Sequence, residues 1–218
     1  MNEIIEVLVN SYQGFLIATW MTLKLTVVSL LMALVIGLVF AFFKISKFKI
    51  LNWIADFYIT IIRGTPLIVQ IMFLYFGIAS IIVLEDFWAG AIALAVHSGA
   101  YIAEIFRGAI QSIDKGQMEA AKSVGMNYSL AMRRIILPQA FKRAVPSLGN
   151  QFIIGLKDSS LVALIGVQEI YGTALTEAAS TFKQMETYVV AGLYYLILVL
   201  IFTYLVNRLE KRLDVSNR

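Results

Sequence analysis

Six ionisable side chains fall where a very hydrophobic chain tolerates them least: Lys24, Asp56, Arg63, Glu104, Lys157 and Asp158. At bilayer depth such a group is costly unless it faces protein, water or an opposite charge, so each belongs to an internal pair or to a polar path. Arg63 precedes Gly64-Thr65-Pro66, and a proline that removes a backbone hydrogen bond predicts a kink or break exposing polar backbone to a cavity. There Arg63 either locks helices together through Asp56 or Glu104, or forms a wall that meets an anionic group, with Thr65 and Gln70 adding hydrogen bonds. Glu104 either pairs with Arg107 at i,i+3 or faces a cavity and a cationic group. Its stripe of i+3 and i+4 steps carries His97, Tyr101, Glu104 and Gly108, and a lone intramembrane histidine is often a packing residue with one hydrogen bond. The polar run Lys157-Asp158-Ser159-Ser160 must face protein or water: as a Lys157 to Asp158 neutral unit at a seam, or as a pathway lined by Asp158, Ser159 and Ser160. Lys24 is expected to snorkel at the outer end of the first span, with Met1 to Leu23 lying partly along the interface.

The elements that must hold these groups are helices. The 218 residues are 60% hydrophobic and 15% charged with mean hydropathy +0.80, above the roughly 45 to 50% apolar content of soluble domains. The apolar residues come in runs of about 20, the length that spans a hydrocarbon core. The expected class is all-α: a polytopic membrane protein, one transmembrane domain over residues 1–218, with five transmembrane helices near Gly14 to Phe43, Leu51 to Ile78, Phe87 to Ile110, Leu148 to Ile165 and Tyr188 to Asn207. No cysteine is present, which excludes disulfides. No basic residue precedes the first apolar run, so the first span is expected to stay in the mature protein. The net charge of +4 matters through its distribution between loops, not as a nucleic-acid signal.

Lys44, Lys47 and Lys49 follow the first span; Lys115, Lys122, Arg133, Arg134, Lys142 and Arg143 follow the third; Arg208, Lys211, Arg212 and Arg218 follow the fifth. Glu3, Glu6, Glu85, Asp86, Glu169, Glu177 and Glu186 hold the other side with Lys183. The positive-inside rule then puts the N-terminus outside and the C-terminus in the cytoplasm. Between helices 3 and 4 lies a basic cytoplasmic loop, residues 111–147. It should form two or three short helices: Glu119 to Val124, a Gly125 stop, a cap at Asn127 or Ser129, and Pro138 in a first turn.

Gly116-Gln117-Met118-Glu119-Ala120-Ala121, Gly125 and Ile136-Leu137-Pro138 together resemble the coupling-loop signature of the membrane subunits of ABC importers. Arg63-Gly64-Thr65-Pro66 and Tyr101-Ile102-Ala103-Glu104-Ile105-Phe106-Arg107-Gly108 resemble the version in polar amino acid uptake permeases. The resemblance covers about Trp20 to Arg212. It implies a type I importer fold in a prokaryotic plasma membrane, and a coupling helix seated in a cleft of a cytoplasmic ATPase. It further implies two permease chains paired, as a homodimer in preference to a heterodimer, and an extracytoplasmic amino acid binding protein. ATP and magnesium would sit on the partner, since no Gly-x-x-x-x-Gly-Lys-Ser/Thr phosphate loop occurs in this sequence; this chain would hold no cofactor or metal and catalyse no reaction.

Within that resemblance Gly116, Glu119, Ala120, Ala121, Gly125, Leu137 and Pro138 are the ATPase-coupling candidates. Small alanines permit close approach, Glu119 offers a carboxylate, and Gly125 turns the chain where a side chain would clash. Arg63, Thr65, His97, Tyr101, Glu104, Asp158, Ser159 and Ser160 are the pathway candidates. Two acids at one depth would favour a cationic amino acid, although glutamine stays open because a neighbouring base can neutralise either acid. The alternative is an ion-coupled secondary amino acid transporter using Glu104 and Asp158 as ion sites, for which internal repeats are expected and are not seen.

Overall fold

The apolar run at the N-terminus contains no proline, and α1 (Asn2–Ile45) accordingly continues unbroken for 44 residues. At 1.5 Å per residue it is about 66 Å long, twice a hydrocarbon core. The computed structural model describes residues 2–78 and 82–213; Arg218, counted above with the C-terminal basic group, lies outside them. After α1 come α2 (Lys49–Gly64), α3 (Leu67–Ile78), α4 (Asp86–Gln111), α5 (Lys115–Ser123) and α6 (Tyr128–Ala131). A π-helical turn (Met132–Ile136), α7 (Leu137–Asp158), a 3₁₀ segment (Ser159–Ile165), α8 (Ile170–Thr181) and α9 (Gln184–Leu213) complete the chain.

Among the described residues α1, α4 and α9 are long and apolar enough to cross a membrane, and α2 with α3 makes a fourth if the pair is one broken span. That pair is bent by 107° at Thr65-Pro66, where the proline both lacks a donor and restricts the residue before it. The remaining expected span, Leu148 to Ile165, begins earlier: Pro146 sits inside α7 without ending it. Lys142, Arg143 and Lys157 keep α7 more polar than the others.

α4 is the hub. Its apolar window is 67% buried against 17% for α9, and Ala89, Ala91, Ala93, Ala95, Ala100 and Ala103 are all buried, so neighbouring helices approach closely. The tightest crossing is with α1. A Cβ at Gly37 would lie 2.4 Å from the Ile102 side chain, and one at Gly99 would lie 2.8 Å from Ile36. The central glycine of the first span is therefore used within the chain.

α1 runs unbroken past Lys24, which is exposed and lies 4.7 Å from the Phe87 ring centroid, level with the start of α4. The preceding half of α1 packs on α8 and α9, with Ser11 donating to Glu177 at 2.6 Å and Lys183 paired with Glu6 at 2.7 Å. Segment 111–147 forms short helices as expected: its non-helical stretches are 112–114 and 124–127, and its last eleven residues already belong to α7.

Candidate functional site

The break between α2 and α3 strands carbonyl groups that a continuous helix would have satisfied. Gln70 replaces the missing donors. Its amide nitrogen donates to the Ile62 carbonyl at 2.8 Å, the Thr65 carbonyl at 3.1 Å and the Thr65 hydroxyl at 2.9 Å. The Thr65 hydroxyl in turn donates to the Ile61 carbonyl at 2.8 Å, so Thr65 is committed to holding the elbow. On the far side of the Gln70 amide, its oxygen lies 3.0 Å from His97 Nδ1. His97 is thus the packing residue with one bond that its sequence setting also allowed, tying α4 to the elbow.

Tyr101 joins this cluster, with its ring centroid 5.2 Å from that of His97 and 5.2 Å from the Arg63 guanidinium. Neither carboxylate expected for Arg63 is its partner. Asp56 lies two turns back along α2 and pairs with Lys44 from the end of α1. Glu104 is taken by Arg107 one turn along its own helix, at 2.7 Å, with further bonds from the guanidinium at 3.0 and 3.1 Å. Arg63 therefore keeps its charge exposed, against a ring face in a weak, geometry-tolerant contact and near enough to Glu104 to act on it through space. The cavity inside the elbow, about 330 Å³, is walled by Ile61, Phe73 and Val96 with Thr65 and Gln70 as its polar residues.

The second polar break is at the end of α7. Ser159 is fully buried and its hydroxyl donates to the Leu156 carbonyl at 2.8 Å, which makes it a packing residue rather than a lining one. Ser160 donates to the Lys157 carbonyl at 2.7 Å and stays partly exposed. Among the described residues Lys157 and Asp158 make no ion-pair contact, although the ammonium group acts on the carboxylate through space; Lys157 is exposed while Asp158 is half-buried.

The two acids are not level. α7 and the 3₁₀ segment pack on α4, with Gln151 near Ser98 at 3.5 Å and Val162 against Gly90, so Asp158 stands opposite about Ala93 to Leu94. Glu104 is some ten residues further on, about 15 Å along the axis. One small solute does not reach both, and the two-acid argument for a cationic solute loses one of its members.

At the other end, α5 stands apart as a nine-residue helix. Asp114 caps its start, accepting from the Gly116 N–H at 2.7 Å. Its end is a Schellman motif: the Met126 N–H donates to the Ala121 carbonyl at 3.0 Å and the Gly125 N–H to Lys122 at 2.9 Å. Gly125 adopts φ +84°, and no atom of this chain lies within 4 Å of the place a Cβ would take. Glycine is required there for its backbone angle, not, within the chain, to avoid a clash. Gly116, Glu119 and Ala120 are exposed, whereas Ala121 is buried, so only one of the two alanines faces outward. Asn127, not Ser129, caps α6 through the Leu130 N–H at 2.9 Å. Pro138 lies at the start of α7, directly after Leu137, whose N–H bonds to Met132 five residues back. The widened π turn accommodates the ring where a regular α turn would clash. Gln139 reaches back to Gln117 at 3.2 Å, binding α5 to this junction.

Gln70 and Lys44 are the residues the sequence undersold. An amide four positions after a helix-breaking proline is a readable signal for repairing freed carbonyls; the Lys44 to Asp56 pair depends on a helix turn no local pattern encodes.

Residues 33–215 match the family model described as binding-protein-dependent transport system inner membrane component. The arginine transport system permease protein ArtQ of Bacillus subtilis is 42% identical over 198 residues, 90% of each chain. The glutamine transport system permease protein GlnP of Escherichia coli is 39% identical over 198 residues, 89% of this chain and 90% of its own. A crystal structure of an amino acid ABC transporter with histidines superposes with TM-score 0.89 at 39% identity, covering 94% of this chain and 96% of the other. A methionine ABC transporter in an inward-facing conformation shares the fold at TM-score 0.81 and 19% identity.

Proposed function

The chain belongs to the family of binding-protein-dependent transport system inner membrane components, and from that membership we propose how this bacterial inner-membrane subunit of an amino acid importer works. It forms the translocation pathway by alternating access, is driven by a separate cytoplasmic ABC ATPase carrying ATP and magnesium, and pairs with a second permease chain, a homodimer in preference. An extracytoplasmic amino acid binding protein supplies the solute. Family membership leaves the ion-coupled carrier without support.

The observation that carries the coupling role is α5. A short, polar helix with Glu119 and Ala120 outward, fixed at both ends and joined to α7 through Gln117 and Gln139, has no use in packing beyond Ala121 and Met118. It fits a partner's cleft. Leu137 and Pro138 carry its displacement into α7. Five spans with the N-terminus outside are supported by charge. Lys44 and Lys115 meet at one end, while Glu6, Glu177 and Lys183 meet at the other.

For the solute, Arg63 is a cation, and Asp158 a half-buried acid, that make no ion-pair contact among the described residues. They suit the carboxylate and amino groups of an amino acid, with His97 and Tyr101 behind Arg63. Basic amino acids are proposed in preference, supported by Asp158 and by the arginine permease relative; Glu104, already neutralised by Arg107, contributes less. The test is uptake of radiolabelled arginine, histidine and glutamine by the complete complex in vesicles, with competition by unlabelled amino acids. ATP-dependent uptake competed best by arginine is expected. Uptake by this chain alone on an ion gradient refutes the importer; preference for an acidic amino acid refutes the solute class.

A further inference from the structure

At the Lys44 end, two cavities adjoin, one between α1, α4 and α7 and one between the ends of α1 and α4 and the short helices α5 and α6. The first, about 240 Å³, is wholly apolar and walled by Leu38, Phe42, Phe106, Ala140 and Phe141. The second, about 600 Å³, opens one turn closer to the end of α1 between Lys44, Lys115, Met118 and Tyr128. Ile110 lines both. Lys47 stands 5.7 Å over the Tyr128 ring, so a third ammonium group reaches the same mouth. Two acids stand there, Asp114, which lines the mouth and accepts from the Gly116 N–H, and Asp56, paired with Lys44. Three ammonium groups against two carboxylates leave one positive charge in excess.

Apolar wall and cationic rim are therefore segregated along one groove, in the order in which hydrocarbon gives way to headgroup. Leu38, Phe42 and Phe141 are exposed, so the apolar part opens sideways rather than into the core. We propose that this groove holds an anionic phospholipid, an acyl chain along Leu38, Phe42 and Phe141 and its phosphate against Lys47 and Lys115, with Lys44 behind them. Basic pockets between spans on the cytoplasmic side suit such headgroups, and ammonium to phosphate contacts are charge-assisted. Lys115 is the first residue of α5 and Met118 lies one turn on, so an occupied groove braces α5 against α1. The site is independent of which solute is carried.

Native mass spectrometry of the full chain in detergent, offered dioleoyl phosphatidylglycerol, dioleoyl phosphatidylcholine or inorganic phosphate, tests it. Phosphatidylglycerol should be retained over phosphatidylcholine. The Lys47→Gln/Lys115→Gln variant, which spares the Lys44 to Asp56 pair, should lower phosphatidylglycerol occupancy roughly tenfold and leave phosphatidylcholine unchanged. Ala140→Trp should lower both by filling the apolar part; the lysine variant decides the matter alone if that substitution unfolds the chain. Lys211→Gln, a cation of α9 away from the groove, should change nothing. Equal retention of the two lipids, an unchanged lysine variant, an equal loss in Lys211→Gln, or displacement of the lipid by phosphate alone overturns the proposal.

Discussion

Replacing Gly125 separates backbone geometry from space. At φ +84° an ordinary L-residue is strained by about 1 to 2 kcal/mol, asparagine much less, a β-branched residue most. The chain itself offers no obstruction to a Cβ, so the ranking should follow conformational strain alone: Asn, then Ala, then Val. α5 has only nine residues and one fully buried anchor, Ala121, too little to absorb the strain. For Val a cost of about 2 kcal/mol lowers the population of correctly turned α5 about 30-fold. ATP-driven uptake by the reconstituted complex should fall by a similar factor, by about fivefold for Gly125→Ala, and by no more than a few-fold for Gly125→Asn. Membrane yield should be constant across the series. Full uptake by Gly125→Val refutes the coupling assignment of α5. Equal loss in Asn and Val refutes the strain argument and assigns the requirement to space claimed by the ATPase.

Gly37→Ala drives a methyl to within 2.4 Å of Ile102 and should cost about 1 to 3 kcal/mol, read as a lower melting temperature in detergent; an unchanged melting temperature contradicts the close α1–α4 crossing. Gly192→Ala, with nothing within 4 Å, should be neutral or stabilising by up to about 1 kcal/mol within the purified chain. Gln70→Leu leaves the Ile62 and Thr65 carbonyls without their donor and should destabilise by about 1 to 3 kcal/mol, with His97→Ala costing less. Asp158→Asn should raise the KM for arginine uptake more than Glu104→Gln does, and the reverse order would return the solute to the Glu104 side of the elbow.

The helical class, the apolar runs, the elbow at Pro66 and the Gly125 stop were legible because each follows from local chemistry: a missing donor, a period, a residue that tolerates positive φ. The Glu104 to Arg107 pair was legible for the same reason, being i,i+3. What escaped was relational. Asp56 finds Lys44 only because α1 ends where α2 turns back, and the unequal depths of Glu104 and Asp158 follow from the register of α4 against α7, set by Gly90 and Ser98. Pro138 was legible too, in the first turn of α7, but the π turn before it was not, nor that Pro146 lies inside that helix without ending it. Ser159 reads as polar lining, yet its hydroxyl folds back onto its own helix.

The run from Tyr128 through the π turn to Asp158 is helical without interruption, about 46 Å end to end. Had residues up to 147 been slack, a shove from the ATPase would have been dissipated before reaching the membrane. On the proposed coupling it acts as a strut that carries the stroke from its base to its tip, where the α-helix narrows into the 3₁₀ segment after Asp158. Its one irregular turn, the π turn, sits beside the base. The acid proposed to meet the amino group would then ride on the end of the connecting rod, and the power stroke and the release of the solute would be a single mechanical event.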